Sequence, residues 1–333
     1  MDRIAVRVSN EAIFAKFLSL TDKEYVDVFF SKNQAFAVNN SSEVFGYLPL
    51  ACAGCSQESL ISCRVSRTDL ARLVSEGFLV FSIADGWVSI EFIDSENNKL
   101  YTLKLRNQQV HSEEYQDKLL LLSHVTKDMF FDADCLRPMC KLMKTYKAVL
   151  TIENGVISAP LPMRGKIFQE VDTGIAFACT AEKLDMLLSI SGRIFSAENY
   201  AGASAQGISI LVTKCRGLDN SEYALFKEAK SAFVCTLDLQ RLRSVIAKYD
   251  RDDGVITINV QKQHAILQKG RAQIIVPVRV SDVQRSAKCD LETIDIPTDA
   301  LKRVFSKLSN CVFRFSQKKY AMLFEAEGIE FYL

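Results

Sequence analysis

Cys52-x-x-Cys55, with Cys63 nearby, is the one compact cluster of metal-ligating side chains in the sequence. A tetrahedral zinc site needs a fourth ligand at suitable spacing, and the nearest histidine, His111, lies far downstream, so the pattern argues against zinc. The chain has 3 histidines, His111, His124 and His264. His111 falls in a polar connecting stretch, the other two read as strand margins, and none has a metal-ligand spacing. Asp250-Arg251-Asp252-Asp253-Gly254 resembles the start of a calcium loop. It lacks the glutamate such a loop needs at its twelfth position and reads as a turn between a helix and a hairpin. Glu113-Glu114 has no neighbour that would shift a carboxyl pKa. The 14 glycines are scattered, without a phosphate-cradling pattern. These residues predict neither an enzyme nor a cofactor nor a metal.

The chain must therefore be understood through the elements that position its side chains. Its 333 residues suit two or three domains. Hydrophobic residues make up 48% and charged residues 24%, as in ordinary globular proteins. Apolar stretches are strand-sized, below the roughly 20 residues that cross a bilayer, and Met1-Asp2-Arg3 leads into an alternating segment rather than a signal peptide. A soluble, intracellular protein with no membrane partner is expected. The 10 cysteines then read as reduced thiols, with Cys63, Cys140, Cys179, Cys235 and Cys311 inside apolar segments. Net charge is +1, a sum that can hide segregated charge.

One pattern recurs six times: a strand, a polar cap, then an apolar residue followed three and four positions later by two more. It occurs at Phe14 with Phe17-Leu18, Leu70 with Leu73-Val74, Met139 with Leu142-Met143, Leu184 with Leu187-Leu188, Leu242 with Val245-Ile246 and Leu301 with Val304-Phe305. Ser9, Ser66, Asp132, Thr180, Asp238 and Thr298 are the expected caps. Helices of about three turns are expected over 10–20, 67–76, 133–147, 181–193, 238–249 and 299–308. Between them lie alternating or β-rich segments, among them Val26–Phe30, Phe78–Ile83, Ala148–Ile152, Ile208–Thr213 and Val312–Phe315. Asp85-Gly86 and Asn154-Gly155 read as hairpin turns. Each repeat is thus a strand, a helix and an antiparallel meander. The similar segments His111-Ser112-Glu113-Glu114-Tyr115 and Asn220-Ser221-Glu222-Tyr223 close the second and fourth repeats. They group the six into three α+β domains, 1–116, 117–230 and 231–333.

The last third carries the best likeness to a known family. Phe233-Val234-Cys235-Thr236-Leu237-Asp238-Leu239-Gln240-Arg241-Leu242, Ile294-Asp295-Ile296-Pro297-Thr298-Asp299-Ala300-Leu301 and the ending Gly328-Ile329-Glu330-Phe331-Tyr332-Leu333 resemble the bacterial-type β sliding clamps, processivity factors of replicative DNA polymerases. Gly217 to Tyr223 resembles the segment closing that family's middle domain. The resemblance implies three tandem clamp domains whose helices line a ring around duplex DNA. It also implies a head-to-tail homodimer, and an apolar pocket that takes short linear motifs of the polymerase and clamp loader. By position, Arg164, Gly165, Ile167, Tyr223, Phe331, Tyr332 and Leu333 would line that pocket. The bland alternative is that Phe331 and Tyr332 finish a core strand. The tail lacks the family's usual methionine, proline and terminal basic-leucine pair, and Pro160-Leu161-Pro162-Met163-Arg164-Gly165 replaces its Asp-Gly-His-Arg run. A dedicated partner, as in a phage or other mobile replicon, would explain this divergence.

A ring of that kind needs basic helices, and the charges can be checked against it. The six helical windows hold 15 Lys or Arg against 8 Asp or Glu, leaving 26 and 32 for the remainder. The expected DNA-binding residues are Lys16, Arg72, Arg137, Lys141, Lys144, Lys147, Arg241, Arg243, Lys248, Lys302, Arg303 and Lys307. Contacts from such groups to phosphates would be independent of sequence and weakened by salt. No aromatic interleaving along the chain suggests base stacking. Two other readings stay open: a clamp-fold interaction scaffold or monomeric processivity factor that does not encircle DNA, given some support by the near-neutral charge, and an enzyme built on repeated α+β domains. The expected location is the cytoplasm of a bacterium or an infected bacterial cell.

Overall fold

The computed structural model describes residues 2–8, 10–21, 23–56, 58, 60–73, 77–84, 86–94, 96–106, 110, 112–161, 165–217, 223, 231–246, 254–269, 272–286, 289, 291–298, 310–316, 321–326 and 328–332. Their order follows the anticipated repeat. The first repeat is β1 (Asp2–Val8), α1 (Glu11–Leu18), β2 (Tyr25–Phe30), β3 (Ala35–Asn40) and β4 (Val44–Ala53). The second is β5 (Ile61–Ser66), α2 (Arg67–Leu73), β6 (Gly77–Ala84), β7 (Trp87–Asp94) and β8 (Lys99–Arg106). A helix that the sequence pattern does not announce, α3 (Gln116–His124), precedes the third: β9 (Phe131–Asp132), α4 (Arg137–Met143), β10 (Val149–Glu153), β11 (Val156–Pro160) and β12 (Lys166–Glu170). The fourth is β13 (Phe177–Thr180), α5 (Ala181–Ile190), β14 (Arg193–Ser196), β15 (Tyr200–Ala205) and β16 (Ile208–Thr213). The fifth is β17 (Phe233–Asp238), α6 (Gln240–Ile246), β18 (Val255–Asn259), β19 (His264–Lys269) and β20 (Ala272–Pro277), followed by an extra strand, β21 (Arg279–Arg285). The sixth has β22 (Thr293–Pro297), β23 (Asn310–Ser316), β24 (Ala321–Ala326) and β25 (Ile329–Tyr332). Its expected helix at 299–308 lies outside the described residues.

In the described residues α1 has 8 residues, α2, α4 and α6 have 7 each, and α5 has 10, nearly the expected three turns. Their apolar faces are as anticipated: α1 buries Phe14, Phe17 and Leu18, α4 Met139, Cys140, Leu142 and Met143, and α6 Leu242 and Ile246. Each large side chain so buried stabilises by about 1.5–3 kcal/mol, more than a two-turn helix gains from propensity. The cap of α1 is Asn10, not Ser9: its side chain accepts from the Ile13 N–H at 3.1 Å. Ser66 and Asp238 cap as expected, accepting from Asp69 N–H at 3.4 Å and Gln240 N–H at 3.0 Å. His124 ends α3 rather than a strand, its Nδ1 lying 2.9 Å from the Leu120 carbonyl.

By compactness the chain divides into two units, residues 1–134 with 183–214 and residues 135–182 with 215–333. The segment 117–230 contributes to both. The strand pairing explains why. Within each consecutive pair of repeats the first strands change places: β1 pairs with β6 and β5 with β2, β9 with β14 and β13 with β10, β17 with β23 and β22 with β18. Sheets then continue beyond the pair, through β4 with β16 in the first unit and β12 with β25 in the second. The first unit holds a 12-stranded sheet running β8-β7-β6-β1-β4-β16-β15-β14-β9, with β3, β2 and β5 branching from it. The second holds a 9-stranded sheet, β13-β10-β11-β12-β25-β24-β23-β17-β21, and a 4-stranded one, β20-β19-β18-β22. At the β10–β11 hairpin, Asn154 (φ 51°) and Gly155 (φ 73°) supply the two left-handed residues of a two-residue turn.

Cys63, Cys140, Cys179, Cys235 and Cys311 are buried free thiols, as the sequence suggests. Cys52 and Cys55 are half-buried, and no cluster of three or more metal-ligating groups occurs among the described residues. No helix among the described residues is long and apolar enough to cross a membrane.

Candidate functional site

In the second unit the anticipated pocket residues converge on the β12–β25 pair. The register sets Ile167 opposite Phe331, and on the other face Lys166 opposite Tyr332 and Phe168 opposite Glu330. This alternation divides the anticipated set. Ile167 and Phe331 are both 0% exposed and belong to the core, as the bland reading of the C-terminal strand has it for Phe331. Tyr332 instead joins Tyr223 in a separate aromatic cluster built on Phe168. The Tyr223 ring stacks on Phe168 at 4.8 Å between centroids, and Tyr332 meets the same ring edge-on at 5.3 Å. Val156 and Leu323 pack at its border. Gly165 is buried at the start of β12, where its carbonyl accepts from the Leu161 N–H. Arg164 and Leu333 lie outside the described residues.

Two carboxylates edge the cluster. The Tyr332 hydroxyl donates to Glu330 Oε2 at 2.7 Å, and the Tyr223 hydroxyl to Glu170 Oε1 at 3.4 Å. Burial, and secondarily these carboxylates, raises both phenols above the ordinary tyrosine value, so they remain donors at any physiological pH. Phe168, Tyr332 and Tyr223 are themselves buried, at 0%, 4% and 8% exposed, so what the cluster offers outward is its margin, exposed Glu170 and half-buried Glu330, which can favour amide or cationic groups of a linear peptide. Phe168, Glu170 and Glu330 escaped the sequence reading. Their signal was there in the strand alternation, since the neighbours of Ile167 and Phe331 had to occupy the opposite face.

The first unit repeats this side-chain plan around Tyr115, the counterpart of Tyr223 in the similar closing segment. Tyr115 meets Phe29 edge-on at 6.0 Å and donates to Asp27 Oδ2 at 2.5 Å, while Arg64 grips the same carboxylate through two bonds of 2.7 and 3.0 Å. Beside it, a cleft of about 710 Å³ opens, lined by Phe36, Tyr47 and Leu60 with Leu119, Leu120 and Leu122 of α3.

The anticipated cations can be placed helix by helix. On α4, Lys141 is exposed and Arg137 half-buried, and Lys144 and Lys147 are exposed in the turn that follows. On α6, Arg241 is exposed and Arg243 half-buried. Lys141, Lys144 and Arg241 thus project away from the buried faces, as cations facing a phosphate backbone must. Lys16 is half-buried and donates to the Ser189 carbonyl near the end of α5, a favourable place for a cation. It is therefore already engaged within the protein. The side chains of Arg72, Lys248, Lys302, Arg303 and Lys307 lie outside the described residues.

No protein-family profile matches the chain, and no curated protein matches it by sequence. Solved structures do. The DNA polymerase sliding clamp of Pseudomonas aeruginosa superposes with a TM-score of 0.68 at 8% identity, covering 100% of this chain and 99% of that one. The DNA polymerase III beta chain of Streptococcus pneumoniae gives 0.67 at 9% identity, again over 100% and 99%. The beta clamp of Helicobacter pylori, bound to a DNA ligase peptide, gives 0.65 at 11%, over 99% of each chain. The α+β fold of the sliding clamps thus extends over the whole chain.

Proposed function

We propose that the chain is a DNA sliding clamp, a processivity factor that encircles duplex DNA without reading its sequence and tethers a replicative polymerase. The observation that carries this reading is the exposed charge of Lys141, Lys144 and Arg241 on faces opposite the buried ones, within a fold shared end to end with the clamps. In this reading, 1–116, 117–230 and 231–333 are three domains of two repeats each, and their helices line the ring. Two copies close it head to tail. The sheet ends include β8 in the first unit and β20 and β21 in the second, and such edges can accept a strand from another copy. The protein acts in the cytoplasm of a bacterium or an infected bacterial cell and performs no chemistry of its own.

The surface over the buried cluster of Phe168, Tyr223 and Tyr332, edged by Glu170 and Glu330, is then the place where linear motifs of the polymerase and clamp loader dock. The clamp of Helicobacter pylori that carries a DNA ligase peptide supports a peptide-binding role for this fold. Arg164 and Leu333 complete this surface by their place in the sequence, and Lys248, Lys302, Arg303 and Lys307 extend the basic lining.

The test is charge reversal at Lys141, Lys144 and Arg241 together. Each exposed cation adds a phosphate contact that salt weakens, so the triple variant should bind duplex DNA at least tenfold more weakly at low salt while remaining folded. Unchanged DNA binding in the folded variant would place the DNA elsewhere.

A further inference from the structure

A second charged surface lies on a sheet face of the first unit, away from its core. Strand alternation sends Ile4, Leu79, Phe81, Val88, Ile90 and Phe92, at most 1% exposed, to one face of β1, β6 and β7, while β8 at the edge has no buried residue. The register puts Trp87 opposite Arg106, Ser89 opposite Lys104 and Glu91 opposite Thr102 on the other face. Trp87, the single tryptophan of the chain, is 59% exposed there. It borders a hollow of about 420 Å³ formed with Ser82, Ala84, Val88, Ser89 and Lys104. On the same face Glu91 is matched by Arg3 at 2.8 Å and Lys99 at 2.6 Å, and Arg7 lies over the exposed ring of Phe78 at 5.9 Å. Lys104 and Arg106 form no ion pair among the described residues. The face is therefore positive, with the large flat ring of Trp87 at its end beside the β6–β7 turn.

We propose that this face binds single-stranded nucleic acid, with a base stacked on Trp87 and successive phosphates on Lys104 and Arg106. Residues two apart on a strand project to the same side about 6.6 Å apart, comparable to one nucleotide step of an extended chain. Small side chains beside the indole leave room for a base, and an aromatic platform flanked by cations suits any base sequence. Duplex DNA keeps its bases stacked internally and offers none to the indole. The linear sequence conceals this arrangement, because the ring and the cations come from neighbouring strands rather than from one interleaved run. Pairing of another chain along the β8 edge would use backbone groups in the plane of the sheet and leave the face open. The inference stands apart from the clamp reading.

Because Trp87 is the only tryptophan, its fluorescence reports this place alone. Titration of the full chain with a short oligothymidylate at low salt should quench it saturably. Lys104→Gln with Arg106→Gln should reduce the slope of log K against log salt by about 1.4, two single-strand phosphate contacts. Trp87→Ala, followed by anisotropy of a labelled oligonucleotide, should weaken binding roughly tenfold. All three side chains are exposed, so the melting temperature should hold, and the unmodified protein decides the question by itself. An absence of quenching by the oligonucleotide, or quenching by polyglutamate alone, would overturn the proposal; the latter would assign the face to an acidic protein. Trp87→Ala should leave retention on circular duplex DNA intact, which separates this site from the basic helices.

Discussion

Cys235 and Cys311 sit on the neighbouring strands β17 and β23, fully or almost fully buried. Burial pushes both thiols from their ordinary value near 9 up to about 12. Because the folded chain holds these protons more tightly than the unfolded one, the stability they contribute is complete below pH 9. It is lost as pH rises from about 9 towards 12, at up to about 1.4 kcal/mol per pH unit for each thiol. Denaturant titrations across that range should show a shallower alkaline loss in Cys311→Ala than in the parent, although the variant is less stable at neutral pH. An equal loss in both would mean that the thiol does not ionise on unfolding. That these cysteines are buried could be read from the apolar segments around them. The hydrogen bonds of Tyr223 to Glu170 and of Tyr115 to Asp27 could not, because they join residues 53 and 88 positions apart.

At the level of elements, the repeat was largely readable because period is a local property. Apolar spacing of three and four gives α1, α4, α5 and α6, and alternation gives the meanders. Helix α3 was missed because Leu119, Leu120, Leu121 and Leu122 form a continuous run with no clear face, and none of its residues is fully buried. Exchange of first strands between paired repeats is a long-range choice with no local signature. Exchange, together with the β4–β16 and β12–β25 contacts, makes compactness follow sheets rather than consecutive segments. The C-terminal strand illustrates the consequence. Phe331 lies between β12 and β24 with no exposed surface, so Phe331→Ala should cost about 3–5 kcal/mol, measured by denaturant unfolding. A cost below about 1 kcal/mol would show that β25 is not an integral strand of that sheet.

For the whole molecule, the reading rests on the six repeats being equivalent in plan but not in charge. The described helices α1, α4 and α6 each bury one face, and Lys141, Lys144 and Arg241 are exposed on the others. A protein that holds DNA by enclosure needs little affinity for it. Retention by enclosure depends on the shape of the DNA rather than on its sequence or length. The most direct measurement is therefore retention of the protein through gel filtration on a nicked circular duplex, before and after one cut that linearises it. The account predicts that protein co-elutes with the circle at a salt concentration that abolishes ordinary phosphate contacts, and is released when the ends are opened. Equal retention on circular and linear DNA, or none on either with the polymerase's own loader present, would contradict it.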